Sequence, residues 1–306
     1  MTAVEMITRE IEVRAIAPET RTTSLVVATD GSDAALAAFR TASLISSRGD
    51  TQVHVLSVLE PMPLLFPAAE GMILSPELDQ SREQAQRAIV NDQVRQFDAG
   101  RQWTLDIAFG RPSEIIVDFA HEQKATLIII GTNKHGFFGR MMGEETAMEI
   151  ARLSDVPLLI ATQRFDRLPK RVLVAMGLDP DGLQLAAQTL VSLVEAPSIS
   201  CVHVKPRSEF LGVDWADLDS EYETAIQDRF NLLEKNFDSV GFRPELVTLN
   251  GDAAREIADF ATYSKAELIV VGVRRRQGKS RAVGGRMAAR VLRNADCSVL
   301  IVPSTG

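Results

Sequence analysis

The residues of this chain that could do chemistry are few, and they gather where apolar runs end. In Leu127–Gly143, LIIIGTNKHGFFGRMMG, a branched apolar run stops at Gly131, and Gly136 and Gly139 follow in the next loop. Glycines let a backbone approach an anion, and the amides of a following helix N-terminus point at it. A strand, a glycine loop and a helix in that order are therefore a phosphate-seeking arrangement. The order recurs in Leu268–Gly285, LIVVGVRRRQGKSRAVGG, where Gly272 ends the run, Gly285 closes the loop and Arg286 follows. Asp30 stands at the end of another apolar run, Ser24–Thr29, and reads equally as a carboxylate for chemistry or as a turn former.

Two stronger chemistries fail on spacing. Gly278-Lys279-Ser280 after a strand is P-loop-like, but that motif places four residues between its first glycine and Gly-Lys-Ser, and five separate Gly272 from Gly278 here. Loop length matters when one phosphate is wrapped, so an ATP-hydrolysing enzyme ranks last among the readings. His54, His121, His135 and His203 fall on separate elements without ligand spacing, so no metal site is expected. No serine, cysteine or carboxylate pair is set beside a candidate base. The basic cluster Arg274, Arg275, Arg276, Lys279 and Arg281 has no aromatic interleaving. It reads as a solvated loop attracting small anions rather than as a nucleic-acid patch.

The elements that must position these residues alternate. Apolar runs at Ser24–Thr29, Thr51–Leu59, Trp103–Ala108, Leu127–Ile130 and Pro157–Ala161 read as strands. Helices are expected between them: one through Ser46 capped by Ser32, one from Ser75-Pro76-Glu77 to about Ala99, one over Ser113–Glu122 and one over Thr146–Leu153. Strands buried on both faces and separated by helices imply an α/β fold with a doubly wound, mostly parallel sheet. After a polar stretch the order restarts. Strands are expected at Arg171–Met176, Ile199–Val204, Leu246–Asn250, Leu268–Val271 and Ser298–Val302, with helices at Trp215–Phe237 and Ala253–Tyr263. The copies keep register, since 251 − 110 for Gly110 and Gly251 and 272 − 131 for Gly131 and Gly272 are both 141. Such register marks a tandem duplication. The organisation expected is a tail over 1–23 in which Ile11–Ile16 could add a strand, a first domain over 24–162, a linker over 163–170 and a second domain over 171–306.

Composition bounds the partners. The chain has 306 residues, 45% hydrophobic and 24% charged, which are globular values large enough for two cores. A net charge of −8 argues against a general nucleic-acid binder. Cys201 and Cys297 lie in apolar runs and read as buried reduced thiols. Glu5, Arg9 and Glu10 interrupt the start, which excludes a secretory signal. The apolar region Leu56–Leu74, which contains the loop Pro61–Leu74, is broken by Pro61, Pro63, Pro67 and two glutamates and cannot span a bilayer. A cytoplasmic protein with no membrane partner is expected. That loop is greasier than a solvated connection needs, so it either covers the mouth of the first domain or meets another subunit.

The opening VVATDGSDAA, the Gly110-Arg111-Pro112 turn matched by Gly251-Asp252-Ala253, the LIIIG and LIVVG strands and the closing ARVLRNADCSVLIV together resemble the universal stress proteins in their tandem two-domain form. The resemblance covers roughly residues 24–304 and implies five-stranded α/β domains that bind ATP. Carried over, it places Thr29 and Asp30 on the adenine side, Val58 after the second strand, and Gly131, Gly136 and Gly139 in the phosphate loop. Glu144 and Glu145 stand where the family pattern ends in Gly-Ser. In the second half Gly272, Lys279, Gly285 and Arg286 hold the phosphate side, while Gly177 stands where the adenine aspartate would be.

What the resemblance implies is a stress-response module binding adenine nucleotide, ATP or AMP, at partly degenerate sites, with Mg²⁺ only alongside nucleotide. A nucleotide-free scaffold on the same fold is the alternative. The closing strands Pro157–Ala161 and Ser298–Val302 are expected to pair within the chain; a homodimer is also left open.

Overall fold

The ten apolar runs between Ser24 and Val302 all form strands in the computed structural model, which describes residues 23–61, 76–101, 103–132, 143–205, 219–274 and 285–304. Ile11–Ile16 and the apolar loop after Pro61 lie outside the described residues. The first half comprises β1 (Thr23–Thr29), α1 (Leu36–Ser46), β2 (Thr51–Leu59), α2 (Pro76–Phe97), β3 (Thr104–Phe109), α3 (Pro112–Glu122), β4 (Leu127–Thr132), α4 (Glu144–Leu153) and β5 (Leu158–Thr162). The second comprises β6 (Arg171–Ala175), α5 (Pro180–Leu193), β7 (Ser198–Lys205), α6 (Asp219–Asp238), β8 (Pro244–Asn250), α7 (Ala253–Tyr263), β9 (Leu268–Arg274), α8 (Arg286–Asn294) and β10 (Ser298–Ser304).

These strands form one sheet in the order β3-β2-β1-β4-β5-β10-β9-β6-β7-β8. Within each half every pairing is parallel, whereas β5 and β10 run antiparallel, with Val299 opposite Ile160, Leu300 opposite Leu159 and Ile301 opposite Leu158. At this seam the buried Ser298 hydroxyl accepts the Thr162 N–H at 3.1 Å and lies 3.3 Å from the Thr162 hydroxyl. The period-two alternation of strand side chains builds two cores. Leu25, Val27, Leu127 and Ile129 face α1 and α2, and the same core runs on to α5 and α6. Val26, Ala28, Ile128 and Ile130 face α3 and α4, and that core continues to α7 and α8.

Helix starts show where local expectation and structure part. Ser32 precedes the first helical turn, a 3-10 turn over Asp33–Ala35, but its hydroxyl makes no cap bond and is buried without a partner. The neighbouring Asp30 carboxylate takes the Ser32 N–H itself at 2.9 Å. Helix α5 had no counterpart in the expected elements. Its signal was the Asp179-Pro180 pair, since the Asp179 carboxylate caps by accepting the Gly182 N–H at 2.8 Å and proline takes the first helical position. The helix expected to begin at Trp215 is described from Asp219. Cys201 is buried as expected and its thiol is pushed up by desolvation, whereas Cys297 is only partly buried; neither forms a disulfide.

Candidate functional site

In a doubly wound sheet a crevice opens at the carboxyl ends of neighbouring strands whose connections leave in opposite directions. In the first half that point lies between β1 and β4, and the expected residues Thr29, Asp30 and Gly131 stand there. Asp30 follows β1 directly and closes a tight turn through its bond from Ser32, while Gly31 takes a left-handed φ of 78°. Thr29 is turned inward. Its hydroxyl accepts the Gly31 N–H at 3.0 Å and donates to the Gln93 side-chain carbonyl at 3.3 Å. Gln93, buried on α2, completes the brace by donating its amide to the carbonyls of Gly31 at 2.9 Å and Ser32 at 3.2 Å. A glutamine buried in a polar helix is a brace that strand-end reading could not find, because its partners are some sixty residues away.

Gly131 is required by packing. A Cβ built there would lie 2.2 Å from the Ala34 carbonyl oxygen and 2.8 Å from the Ala35 Cα, so the β1–α1 turn rests directly on the end of β4. Val58 is buried on the opposite face of the sheet from the Thr29 hydroxyl. With Ala28, Asp30, Leu56, Pro112 and Ile116 it surrounds a cavity of about 10 Å³. That is about the room one water needs. Gly136 and Gly139 lie outside the described residues.

The two carboxylates expected to face a phosphate separate. Both lie in the first turn of α4, where the helix dipole favours them. Glu144 is directed at the other half of the chain, 3.6 Å from the Arg293 guanidinium on α8, while Glu145 is exposed. Glu144 thus has a cation as its neighbour at this helix start.

The second half is built differently at its matching point. Gly177 follows Met176, and the Met287 methyl approaches within 3.9 Å of where a Gly177 Cβ would be. Leu178 is buried over Gly272, with its Cδ2 only 2.7 Å from a Cβ built there, so apolar groups lie beside Gly177 and over Gly272. Gly285 precedes α8 with a left-handed φ of 100°, and Arg286 opens the helix. Arg152 of α4 reaches this N-terminus, its Nε 3.3 Å from a Cβ built on Gly285. Lys279 lies outside the described residues.

Beside both points the halves carry one ion pair with its signs exchanged. Arg111, just before α3, pairs with Glu149 of α4 at 3.2 Å; Asp252, just before α7, pairs with Arg290 of α8 at 2.8 and 2.7 Å. These are equivalent positions, since 252 − 111 and 290 − 149 are both 141. The Arg290 hydrogen bonds hold the Asp252 carboxyl below the usual carboxylate range, helped by the Arg255 amide. Among the described residues no three histidine, cysteine or carboxylate side chains converge as a metal site would require.

Comparison with known proteins agrees with this architecture. A family model described as the universal stress protein family matches residues 22–162 and again residues 169–303. A universal stress protein of Methanocaldococcus jannaschii is 28% identical over 138 residues, spanning 44% of this chain and 79% of its own length. One from Bacillus subtilis is 24% identical over 142 residues, spanning 44% and 96%. Among solved structures, a universal stress protein from Archaeoglobus fulgidus superposes with a TM-score of 0.64 at 16% identity, covering 92% of this chain and 98% of that one. At that identity the likeness is one of fold.

Proposed function

The chain belongs to the universal stress protein family, twice over, and from that premise we propose that it is an adenine-nucleotide-responsive module whose first half carries the recognising site. The observation that carries this reading is the Asp30 turn, braced by Thr29 and Gln93 at the switch point between β1 and β4, with Val58, Pro112 and Ile116 around the cavity beneath it. Asp30 supplies an acceptor for an adenine amino group, and the β2 end around Val58 supplies backbone. The loop carrying Gly136 and Gly139 leads to the α4 N-terminus, where a phosphate would sit. In the second half Leu178 stands over the equivalent position, so occupancy is one-sided.

The preferred ligand is AMP or adenosine rather than ATP. A carboxylate about 4 Å from a phosphate charge costs on the order of 4 kcal/mol at an effective dielectric near 20. Arg293 offsets part of this for Glu144, and half of it still exceeds tenfold in affinity, since about 1.4 kcal/mol is one decade. Mg²⁺ enters with nucleotide by bridging Glu145 to the phosphates.

A second reading, a nucleotide-free scaffold, is favoured by the same small cavity, which must widen for a purine to enter. Titration calorimetry with adenosine, AMP and ATP, each with and without Mg²⁺, separates the two. The binding module shows AMP at least tenfold tighter than Mg-free ATP, and Asp30→Ala removes binding of both. Absence of heat and of any thermal shift with all three ligands leaves the scaffold.

A further inference from the structure

A wide opening among the described residues lies at the other end of the first half, away from Asp30. It is a cleft of about 880 Å³ between the halves, within the range of small-molecule sites. One wall is made of the ends that precede the strands of the first half: Arg48 after α1, Asp50 before β2, His121 and Lys124 at the end of α3, and Asp155 before β5. The other wall is α5 of the second half, through Leu185, Thr189 and Ser192, with Val240 after α6. The Arg48 guanidinium spans the gap between halves by donating to the Val194 carbonyl at 2.9 Å.

Duplication supplies an internal control. Position 126 in the first half corresponds to 267 in the second, again 141 apart. There Glu267 draws the linker over the strand ends: it accepts from Arg167 at 2.7 Å and from the backbone N–H groups of Lys170 and Arg171 at 2.8 and 3.0 Å. Arg164 reaches the Asp296 carbonyl as well. The linker is therefore tied across this end of the second half by Glu267. The first half has Thr126 at the matching place, its hydroxyl donating to the Ser24 carbonyl at 3.0 Å, and the cleft lies there.

We propose that this cleft binds a small amphipathic zwitterion of the kind exemplified by a short apolar peptide with free ends. Its floor and inner wall are apolar, from Ile45, Leu185, Val191 and Val240, and take a hydrocarbon side chain. The rim carries both signs, cations at Arg48 and Lys124 and carboxylates at Asp50 and Asp155, so a ligand with one charge alone leaves part of the rim unmatched. The carboxylate end is assigned to Lys124 and Arg48, and the ammonium end to Asp155. Because both halves line the cleft, a bound ligand stabilises their docking.

The test is titration of the intact chain with trileucine, followed by NMR chemical shifts and thermal unfolding. The expected result is saturable binding accompanied by a rise in Tm, weakened at least tenfold by Leu185→Glu and at least threefold by Lys124→Glu or Asp155→Asn. Trileucine acetylated and amidated at its ends should bind at least tenfold more weakly, and AMP should not displace the free peptide. Ser192→Trp, which fills the cleft from a partly buried position on α5, should abolish binding with the circular dichroism spectrum unchanged, keeping the result readable if Leu185→Glu fails to fold. No saturable binding overturns the proposal, and so does equal binding of the free and blocked peptides. Displacement by AMP with loss on Asp30→Ala also overturns it, by placing the peptide in the nucleotide site.

Discussion

At the scale of single residues, Gly131 shows how one position can satisfy two readings. The sequence marks it as a phosphate-loop glycine, and the structure shows what the position demands first: the Ala34 carbonyl lies 2.2 Å from where a Cβ would stand. That neighbour is backbone and cannot rotate aside, so Gly131→Ala should destabilise the first half by about 1–3 kcal/mol in chemical denaturation. Gly49→Ala, which meets nothing within 4 Å, should stay within about 0.5 kcal/mol of the parent. His54 makes the second prediction at this scale. Its imidazole is held below the ordinary 6.5 by desolvation, against a smaller pull upward from Asp106, and its Nε2 is buried without a partner. A lowered folded pKa means that the native state favours the neutral ring more than the unfolded chain does. Its contribution is whole above the ordinary value and is lost as pH falls through the lower folded one. Acidification from pH 7 should weaken the protein over that window, and His54→Phe should flatten the slope of stability against pH there. His203, also lowered by burial, keeps some slope in the variant.

At the scale of elements, strands were legible because burial on both faces leaves no room for polar residues. Leu127–Ile130 and Leu268–Val271 announce themselves without any knowledge of their neighbours. Helix ends were less legible, since Ser32 has the residue type of a cap yet its hydroxyl makes no cap bond, and the Asp30 carboxylate beside it takes the Ser32 N–H. Of the candidate site, Asp30 and Gly131 could be named from local sequence, and Val58 only through the family resemblance. Gln93, Ile116 and the Glu144–Arg293 contact could not, because each depends on which helix packs where. The exchanged pairs Arg111–Glu149 and Asp252–Arg290 are instructive here: the duplication was visible, but the compensation appears only once α3 is known to lie beside α4 and α7 beside α8. The seam offers the element-scale test. Ser298→Ala leaves the buried Thr162 N–H without its acceptor, and loss of about 1–3 kcal/mol is expected in denaturant titrations. Val299→Ala, a purely apolar truncation at the same seam, leaves that bond in place and separates a packing loss from the lost acceptor.

At the scale of the whole molecule, the β5–β10 pairing makes each half the cover for the other's open edge. All five residues of β5 are buried, so residues 23–162 expressed alone should expose an apolar strand and self-associate, with a dimer or larger species in light scattering. A stable monomer would show that the edge needs no cover. The antiparallel seam also sets the two switch points at opposite ends of the sheet, and it imposes an order in time. β5 is finished at residue 162, but its partner β10 is complete only at residue 304, after the whole second half has been made. At about 5–20 residues per second, a ribosome leaves that edge waiting on the order of ten seconds. During the wait a neighbouring nascent chain of the same kind offers an identical strand. The hazard is therefore one of synthesis rather than of the finished protein, and it grows with how densely ribosomes load the message.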